Sequence, residues 1–274
     1  MLDRAIRTLA PHGPSARIDA EILLGHVLDK PRHWPYVWED HTPTTSEHER
    51  FQHLIDLRAS GWPVAYLIGR RAFWSLDLLV TQDVLIPRPE TECLVEAVLA
   101  VIPKAAKWRI ADLGTGSGAV ALALARERPE CRITATDISA AALEVARLNA
   151  EEYRMENVVF RLGRWFDALV ADEVFDIIVS NPPYVAVGDP HLSQGDVRFE
   201  PTSALTGGPD GLDAIGDIAR GAGAHLQPGG WLMLEHGYDQ GERVRALFQG
   251  LGYREVTTGH DYGGRQRITL GCYS

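Results

Sequence analysis

The stretch DLGTGSGA, Asp112 to Ala119, decides how the rest of this 274-residue chain is read. Asp112 ends an apolar run that starts at Arg109, and an alanine-rich segment with helical character begins at Ala119. Between them Gly114, Gly116 and Gly118 stand at alternate positions. Glycines at a strand-to-helix turn let the backbone reverse tightly and come close to a ligand with no side chain in the way. The next apolar run ends about 20 residues further on, at Asp137, where a carboxylate can accept hydrogen bonds from both hydroxyls of a ribose. Asp112, Gly114, Thr115, Gly116, Ser117, Gly118 and Asp137 are therefore candidate binding residues for an adenosine-type cofactor. Gly114, Gly116 and Ala119 also satisfy the dinucleotide pattern, so the turn alone leaves a nicotinamide and a sulfonium cofactor both open.

Strand and helix patterns alternate outward from this turn. RITATDI begins at Arg132, a helix at Ser139, VVFRL at Val158 and FDIIVS at Phe175. Repeated units of this kind with fully apolar strands predict an α/β domain, a Rossmann-like parallel sheet with helices on both faces. WLMLEHG from Trp231 adds a strand, and YREVTT with RITLGCY reads as a terminal hairpin. Upstream, Ile18, Ile22, Leu23, Val27 and Leu28 are spaced as one helical face, and Pro31 to Thr45 reads as a helix connection. The expected organisation is a small helical domain over residues 1–72, a hairpin or linker over 73–88 and the α/β domain over 89–274.

SNPPYVAV, Ser180 to Val187, follows the fourth strand directly. Proline ends strands, so Asn181 lies at a carboxyl end, where open α/β sheets bind ligands. The stretch holds no histidine, lysine or carboxylate for acid–base work. What it can do is grip a planar NH2 group. The Asn181 side-chain oxygen and a backbone carbonyl from the prolines supply two acceptors, and Pro182 and Pro183 restrict the backbone that aims them. Tyr184 can pack its ring on the planar group. Asn181, Pro182, Pro183 and Tyr184 are the candidate catalytic and substrate-binding residues. Trp165 and Phe166, after the third strand, offer an aromatic face for an adenine, and Asn181 also borders the cofactor.

Bulk properties exclude several function classes. A net charge of −10 and a pI near 5.5 argue against broad nucleic-acid binding. Three cysteines without paired spacing suggest neither a disulfide framework nor a metal site, and a cytoplasmic location is expected. No apolar run reaches the length of a signal peptide core or a membrane span.

The glycine turn with Asp137 resembles the cofactor signature of S-adenosylmethionine-dependent methyltransferases, and Asn-Pro-Pro-Tyr resembles the motif of those acting on planar amino groups. Gly61-x-Pro63-x-x-Tyr66-x-x-Gly69-x-x-x-Phe73, LIPRPETE (Leu85 to Glu92), DPHLSQGDVRFEP (Asp189 to Pro201), LEHG (Leu234 to Gly237) and DYGGRQR (Asp261 to Arg267) together resemble the release factor glutamine methyltransferase family. The resemblance runs from about Asp19 to the carboxyl terminus. It implies an enzyme that uses S-adenosyl-L-methionine to methylate the side-chain amide nitrogen (N5) of the glutamine in the Gly-Gly-Gln motif of bacterial peptide chain release factors. On this reading the helical domain grips that partner, and the acidic balance and the lack of a long apolar run lead to the expectation that neither nucleic acid nor membrane is bound directly. By the same resemblance Asn181 and the Pro182 carbonyl bind the glutamine amide, Asp112 lies by the methionine end, Asp137 holds the ribose and Trp165 flanks adenine. The alternatives are a glutamine of a ribosomal protein or an amino group of a nucleic acid. The chain departs from the family at Gly163-Arg164, where many members carry an acidic residue. Arg88 reads either as a gate on the cofactor pocket or as a surface arginine at a turn into a helix. Phe199-Glu200-Pro201 reads as a loop over the substrate or a solvated one, and His236 as a structural histidine.

Overall fold

The run FDIIVS forms a strand whose side chains are shared between two apolar layers: Ile177 and Val179 join one cluster, Phe175 and Ile178 the other. That alternation is what a strand buried on both faces requires. The structure, a computed structural model, describes residues 1–30 and 43–274. The connection expected from Pro31 to Thr45 lies outside the described residues as far as residue 42.

Two compact units are present, one of Met1–Arg70 with Ser193–Phe199, the other of Arg71–Leu192 with Glu200–Ser274. In the first, helices α1 (Leu2–Leu9), α2 (Ala16–Leu28), α3 (Thr45–Ala59) and α4 (Val64–Ile68) enclose a core that includes Leu9, Leu23, Leu24, Phe51 and Ile55. A capping box starts α3, with Thr44 Oγ1 accepting from the Glu47 N–H and Glu47 reaching back to the Thr44 N–H. The buried stripe of α2 is Ala16, Ala20, Leu23, Leu24, Val27 and Leu28, while Ile18 is exposed. The sequence reading put Ile18 on the inner face because it undercounted the two alanines, which allow close helix approach. Arg58 binds Asp19 (Nε–Oδ2 2.8 Å) and Asp196 (Nη1–Oδ1 2.8 Å), and Trp62 packs on Phe199 with ring centroids 5.0 Å apart. Ser193–Phe199, from the middle of DPHLSQGDVRFEP, thus takes its partners within the helical unit.

The second unit opens with a hairpin, β1 (Arg70–Phe73) and β2 (Leu76–Leu79), so much of the 73–88 stretch expected as a hairpin or linker packs within this unit. Helix α5 (Glu92–Val101) leads to β3 (Arg109–Leu113), α6 (Ala119–Glu127), β4 (Arg132–Asp137), α7 (Ala140–Glu152), β5 (Val158–Leu162) and β6 (Phe175–Ser180). Helix α8 (Asp213–Ala222), β7 (Leu226–Glu235), α9 (Gly241–Gly250), β8 (Arg254–His260) and β9 (Gln266–Cys272) complete it. The seven-stranded sheet runs β5-β4-β3-β6-β7-β9-β8. The strands from β5 to β7 are parallel, and β9 and β8 return antiparallel as the terminal hairpin. Helices α5 and α6 pack into the cluster on one face, α8 and α9 into the other. Strand β7 begins at Leu226, five residues before the expected start, and α8 was not foreseen. Among the described residues no helix is long and apolar enough to cross a membrane.

Strand order reverses at β3, from which the chain adds β4 and β5 on one side and β6 on the other. The crevice above such a switch point is where doubly wound sheets bind ligands. One buried amide braces it. Asn149 of α7 accepts from the Leu79 N–H (2.7 Å) and donates to the carbonyls of Leu79 (3.0 Å) and Ser117 (2.9 Å). Replacing it with leucine leaves these backbone groups unpaired, each at a cost of about 1–3 kcal/mol. Asn149→Leu is therefore expected to lower unfolding stability by on the order of 3 kcal/mol in a denaturant titration.

Candidate active site

The turn after β3 is built as its glycines suggest. Gly114, Gly116 and Gly118 all have positive φ (74°, 56° and 85°), a region that costs most other residues energy. The Gly114 and Thr115 N–H groups donate to the Thr136 carbonyl at 2.8 and 2.9 Å, closing the turn onto β4. Gly118 precedes α6, and a Cβ there would meet Leu122 and Ala146 at 3.1 and 3.3 Å, so its role is close packing of helices.

Two carboxylates flank the turn. Asp112 is 1% exposed and accepts from the Thr115 hydroxyl at 2.6 Å. Burial, with the charge of Asp137 adding to it, pushes its carboxyl up to about 7. Asp137 accepts from the Gly116 N–H on Oδ2 and the Ser139 N–H on Oδ1, both at 2.9 Å. Burial raises its pKa as well, against the pull of these backbone donors. Each carboxylate oxygen keeps lone pairs for further donors. A buried acid beside a half-buried one, both with raised pKa values, is a site prepared for a cation and for hydroxyl donors.

Asn181 leaves β6 beside this turn. The Ser180 hydroxyl, fully buried, donates to the Leu113 carbonyl at 2.5 Å and ties the ends of β6 and β3 together. The Asn181 NH2 donates to Thr91 Oγ1 at 3.1 Å, which leaves its Oδ1 as the free end of the amide. Tyr184 places its hydroxyl on Glu235 Oε1 (3.1 Å), while Gln240 Nε2 donates to the Tyr184 carbonyl at 3.0 Å. A side chain at Gly207 would collide with the Pro183 carbonyl oxygen, and one at Gly211 with that of Tyr184. The proline turn is thus held by a second segment as well as by its own rings.

A single cavity of ≈ 360 Å3 joins these features. Asp112, Gly114, Thr115, Gly116, Ser117 and Asp137 line it, and so do Trp165, Asn181 and Pro183. Gly118, Phe166, Pro182 and Tyr184 do not form part of the lining. Phe166 is a correction to the sequence reading: it stacks on His225 (centroids 5.0 Å, planes 3° apart) under the sheet. Trp165, at φ 46°, turns the chain so that its own ring lies over Gly114, where a Cβ would meet Cζ3 at 3.0 Å. Its Nε1 is buried without a hydrogen-bond partner among the described residues.

Arg88, read from the sequence as either a gate or a surface arginine, and Arg164, at the departure from the family pattern, both border the cavity. Arg88, in the lining, binds Glu200 (Nη2–Oε1 2.5 Å), whose Oε2 also accepts from the Ile86 N–H at 3.3 Å. This fastens the Pro201–Ala204 rim, which lines the cavity, to the Ile86–Arg88 segment. Arg164 lines the cavity too and pairs with Asp217 at 2.8 Å. Glu235 and Thr91 were missed as site residues; an acid ending the apolar run LMLE was the available signal. His236 is buried with Nδ1 on the Gly237 carbonyl and Nε2 on Thr269, in keeping with a structural role.

Residues 91–195 match the Methyltransferase small domain family and residues 1–69 the PrmC N-terminal domain family. A solved methyltransferase structure from Pyrococcus furiosus superposes with a TM-score of 0.55 at 21% identity, covering 81% of this chain and 96% of that one, and shows the shared fold. A release factor glutamine methyltransferase of Xylella fastidiosa is 55% identical over 255 residues, 93% of this chain and 92% of the relative. One of Pseudomonas aeruginosa is 50% identical over 264 residues, 96% and 95% of the two chains. Identity at this level across nearly the whole of both proteins means that the chain belongs to the release factor glutamine methyltransferase family, a family of methyl-transferring enzymes.

Proposed function

We propose that the chain transfers a methyl group from S-adenosylmethionine to the side-chain N5 of the glutamine in the Gly-Gly-Gln motif of peptide chain release factors. One observation carries the reading: Asn181 and the glycine turn line the same cavity, with the Asn181 oxygen unengaged among the described residues. The names of the close relatives support release factors as the partner. A net charge of −10 favours a protein partner over direct contact with nucleic acid or an anionic membrane.

The residues fit the cofactor. Asp112, buried and held near neutrality by desolvation, gains a partner in the ammonium or sulfonium charge. Asp137 would take the ribose hydroxyls, and Trp165 offers a ring face toward the adenine. When bound, S-adenosylmethionine supplies an electrophilic methyl on sulfur. The protein's part is to present a weak nucleophile well. An amide nitrogen has its lone pair delocalised into the carbonyl, so the need is orientation. Asn181 Oδ1 would accept one N–H bond of the glutamine amide and the Pro182 carbonyl, at its junction with the lining residue Pro183, the other; the Pro183 carbonyl is packed against Gly207. Fixed acceptors need no reorganisation as the nitrogen becomes positive and its N–H groups more acidic, and the proton it then sheds passes to water. Tyr184 supports the turn from behind through Glu235 rather than lining the cavity.

Incubation with methyl-labelled cofactor and purified release factor should label one glutamine, located by mass spectrometry; label on nucleic acid or a ribosomal protein instead would overturn the reading. Asn181→Ala should lower kcat by about 10²–10³-fold, the scale seen for loss of one preorganised polar contact, with cofactor affinity unchanged in calorimetry. Cofactor affinity should itself depend on pH. Asp112 is about half protonated near pH 7 in the free enzyme and ionised beside a cation, so binding below that pH releases a proton. Affinity should weaken as pH falls from about 8 to 6, by up to tenfold per unit at the acid end, and Asp112→Asn should weaken binding and remove most of the slope.

A further inference from the structure

Thr91, at the cavity wall, and Glu235, behind it, lie far apart in sequence, yet both converge on the Asn-Pro-Pro-Tyr turn. Glu235 ends β7 with 1% of its surface exposed. Its Oε1 accepts the Tyr184 hydroxyl at 3.1 Å. Its Oε2 is buried and unbonded among the described residues, although the Thr91 hydroxyl is close enough to favour the charged carboxylate. Thr91, 4% exposed, accepts from the Asn181 NH2 at 3.1 Å. A hydroxyl that accepts from one neighbour still has its own hydrogen to give. Oε2 is the unclaimed acceptor beside it.

We infer that Glu235 is a positioning residue for methyl transfer: by drawing the Thr91 hydroxyl hydrogen, it fixes the Asn181 amide with NH2 turned inward and Oδ1 turned toward the substrate. The inference rests on the proposed glutamine substrate for its kinetic consequence and on the hydrogen-bond chain alone for its structural one. The direction of each bond follows from the carboxylate. An ionised Glu235 only accepts, so Tyr184 and Thr91 both donate to it, and Thr91 can accept only from Asn181 Nδ2. A protonated Glu235 has a hydrogen of its own to give. If it gives that hydrogen to Thr91, the hydroxyl turns toward Asn181, which must then offer Oδ1 inward. The NH2 would face the cavity, a donor opposing the donors of a glutamine amide.

The charged and titratable groups around Glu235 set when this happens. Burial raises its carboxyl to about 7, Glu90 adds to the rise, and Tyr184, Thr91 and Arg267 of β9 oppose it. Burial and the phenol's bond to Glu235 raise Tyr184, which stays protonated. His236, the next residue on β7, is held neutral by burial. A group whose folded pKa lies near 7 is ionised above that pH, so the productive amide orientation is the alkaline one.

Two measurements test this. With both substrates saturating, wild-type kcat should rise with pH through about 7 and level off. Glu235→Gln, which cannot accept on both sides, and Thr91→Val should each lower kcat by about 10–100-fold with KM for the release factor and cofactor affinity little changed, as expected for misplacement rather than lost binding. Thr91→Ser should restore the rate, and Glu235→Gln should flatten the pH profile. Independently of any acceptor protein, the Asn181 side-chain 15N resonance should titrate between about pH 6 and 8 in the wild type and not in Glu235→Gln. If Glu235→Gln does not fold, the wild-type resonance and the Thr91→Val and Thr91→Ser pair still decide the matter. An Asn181 resonance indifferent to pH, or wild-type kcat in Thr91→Val, would overturn the inference. A wild-type enzyme that leaves release factor unlabelled while its Asn181 resonance titrates would overturn only the proposed substrate.

Discussion

The buried hydrogen bond from the Ser180 hydroxyl to the Leu113 carbonyl marks the constraint on which the site depends: β3 and β6 end side by side. Neighbouring strands lie about 4.8 Å apart. Because the two ends are adjacent, the glycine turn that follows β3 and the asparagine that follows β6 open into one cavity instead of two. Inserting a strand between them would double the separation. The parallel pairing of Ile110 with Ile177 and Asp112 with Val179 sets the register that brings both ends to the same level. With β6 buried on both faces, a one-residue slip would exchange the contents of the two apolar layers.

The same burial makes the site's electrostatics costly. Asp112, Asp137 and Glu235 are all raised by desolvation. Each is offset differently: by the Thr115 hydroxyl, by backbone N–H groups at the mouth of the turn, and by Thr91 and Tyr184 with Arg267 at a distance. Only Asp112 and Asp137 face the cavity, so a cationic ligand can relieve them. Glu235 lies behind it, where its charge can act only through the groups that bond to it. The carboxylates therefore divide into two that meet a ligand and one that conditions the residue meeting it.

This division explains what the sequence disclosed. A motif is readable when its function follows from neighbours along the chain. The alternating glycines demanded positive φ, the apolar runs gave β3 to β6, and the prolines placed Asn181 at a strand exit. Partners far apart in sequence were not readable. Thr91 lies 90 residues from Asn181, Tyr184 51 from Glu235, and Asn149 70 from Leu79, and no local pattern links them. Trp165 and Phe166 show the same limit at short range. Two adjacent aromatics look equivalent on the page, and only the left-handed backbone at Trp165 sends one ring to the cavity and the other to His225. The buried alanines of α2 are a milder case, since their small side chains register weakly in a hydrophobic pattern although they set how closely helices pack.

The rigidity of the proline turn belongs to this second, non-local kind. Proline rings fix φ at Pro182 and Pro183 and restrict the residue before each, but they leave the turn free to move as a body. What removes that freedom is the segment Leu205–Gly211. Val185 donates to the Leu205 carbonyl and accepts from the Gly207 N–H, both at 2.9 Å, and Val187 donates to Gly208 at the same distance. Gly207 and Gly211 have no side chains, so the carbonyls of Pro183 and Tyr184 can lie directly on their backbones. Gln240 then takes the Tyr184 carbonyl from the other side. Acceptors aimed by prolines alone would hold their relative angles but not their place above the sheet. With this second segment bonded to the turn, angle and place are fixed together, which methylation of so weak a nucleophile requires.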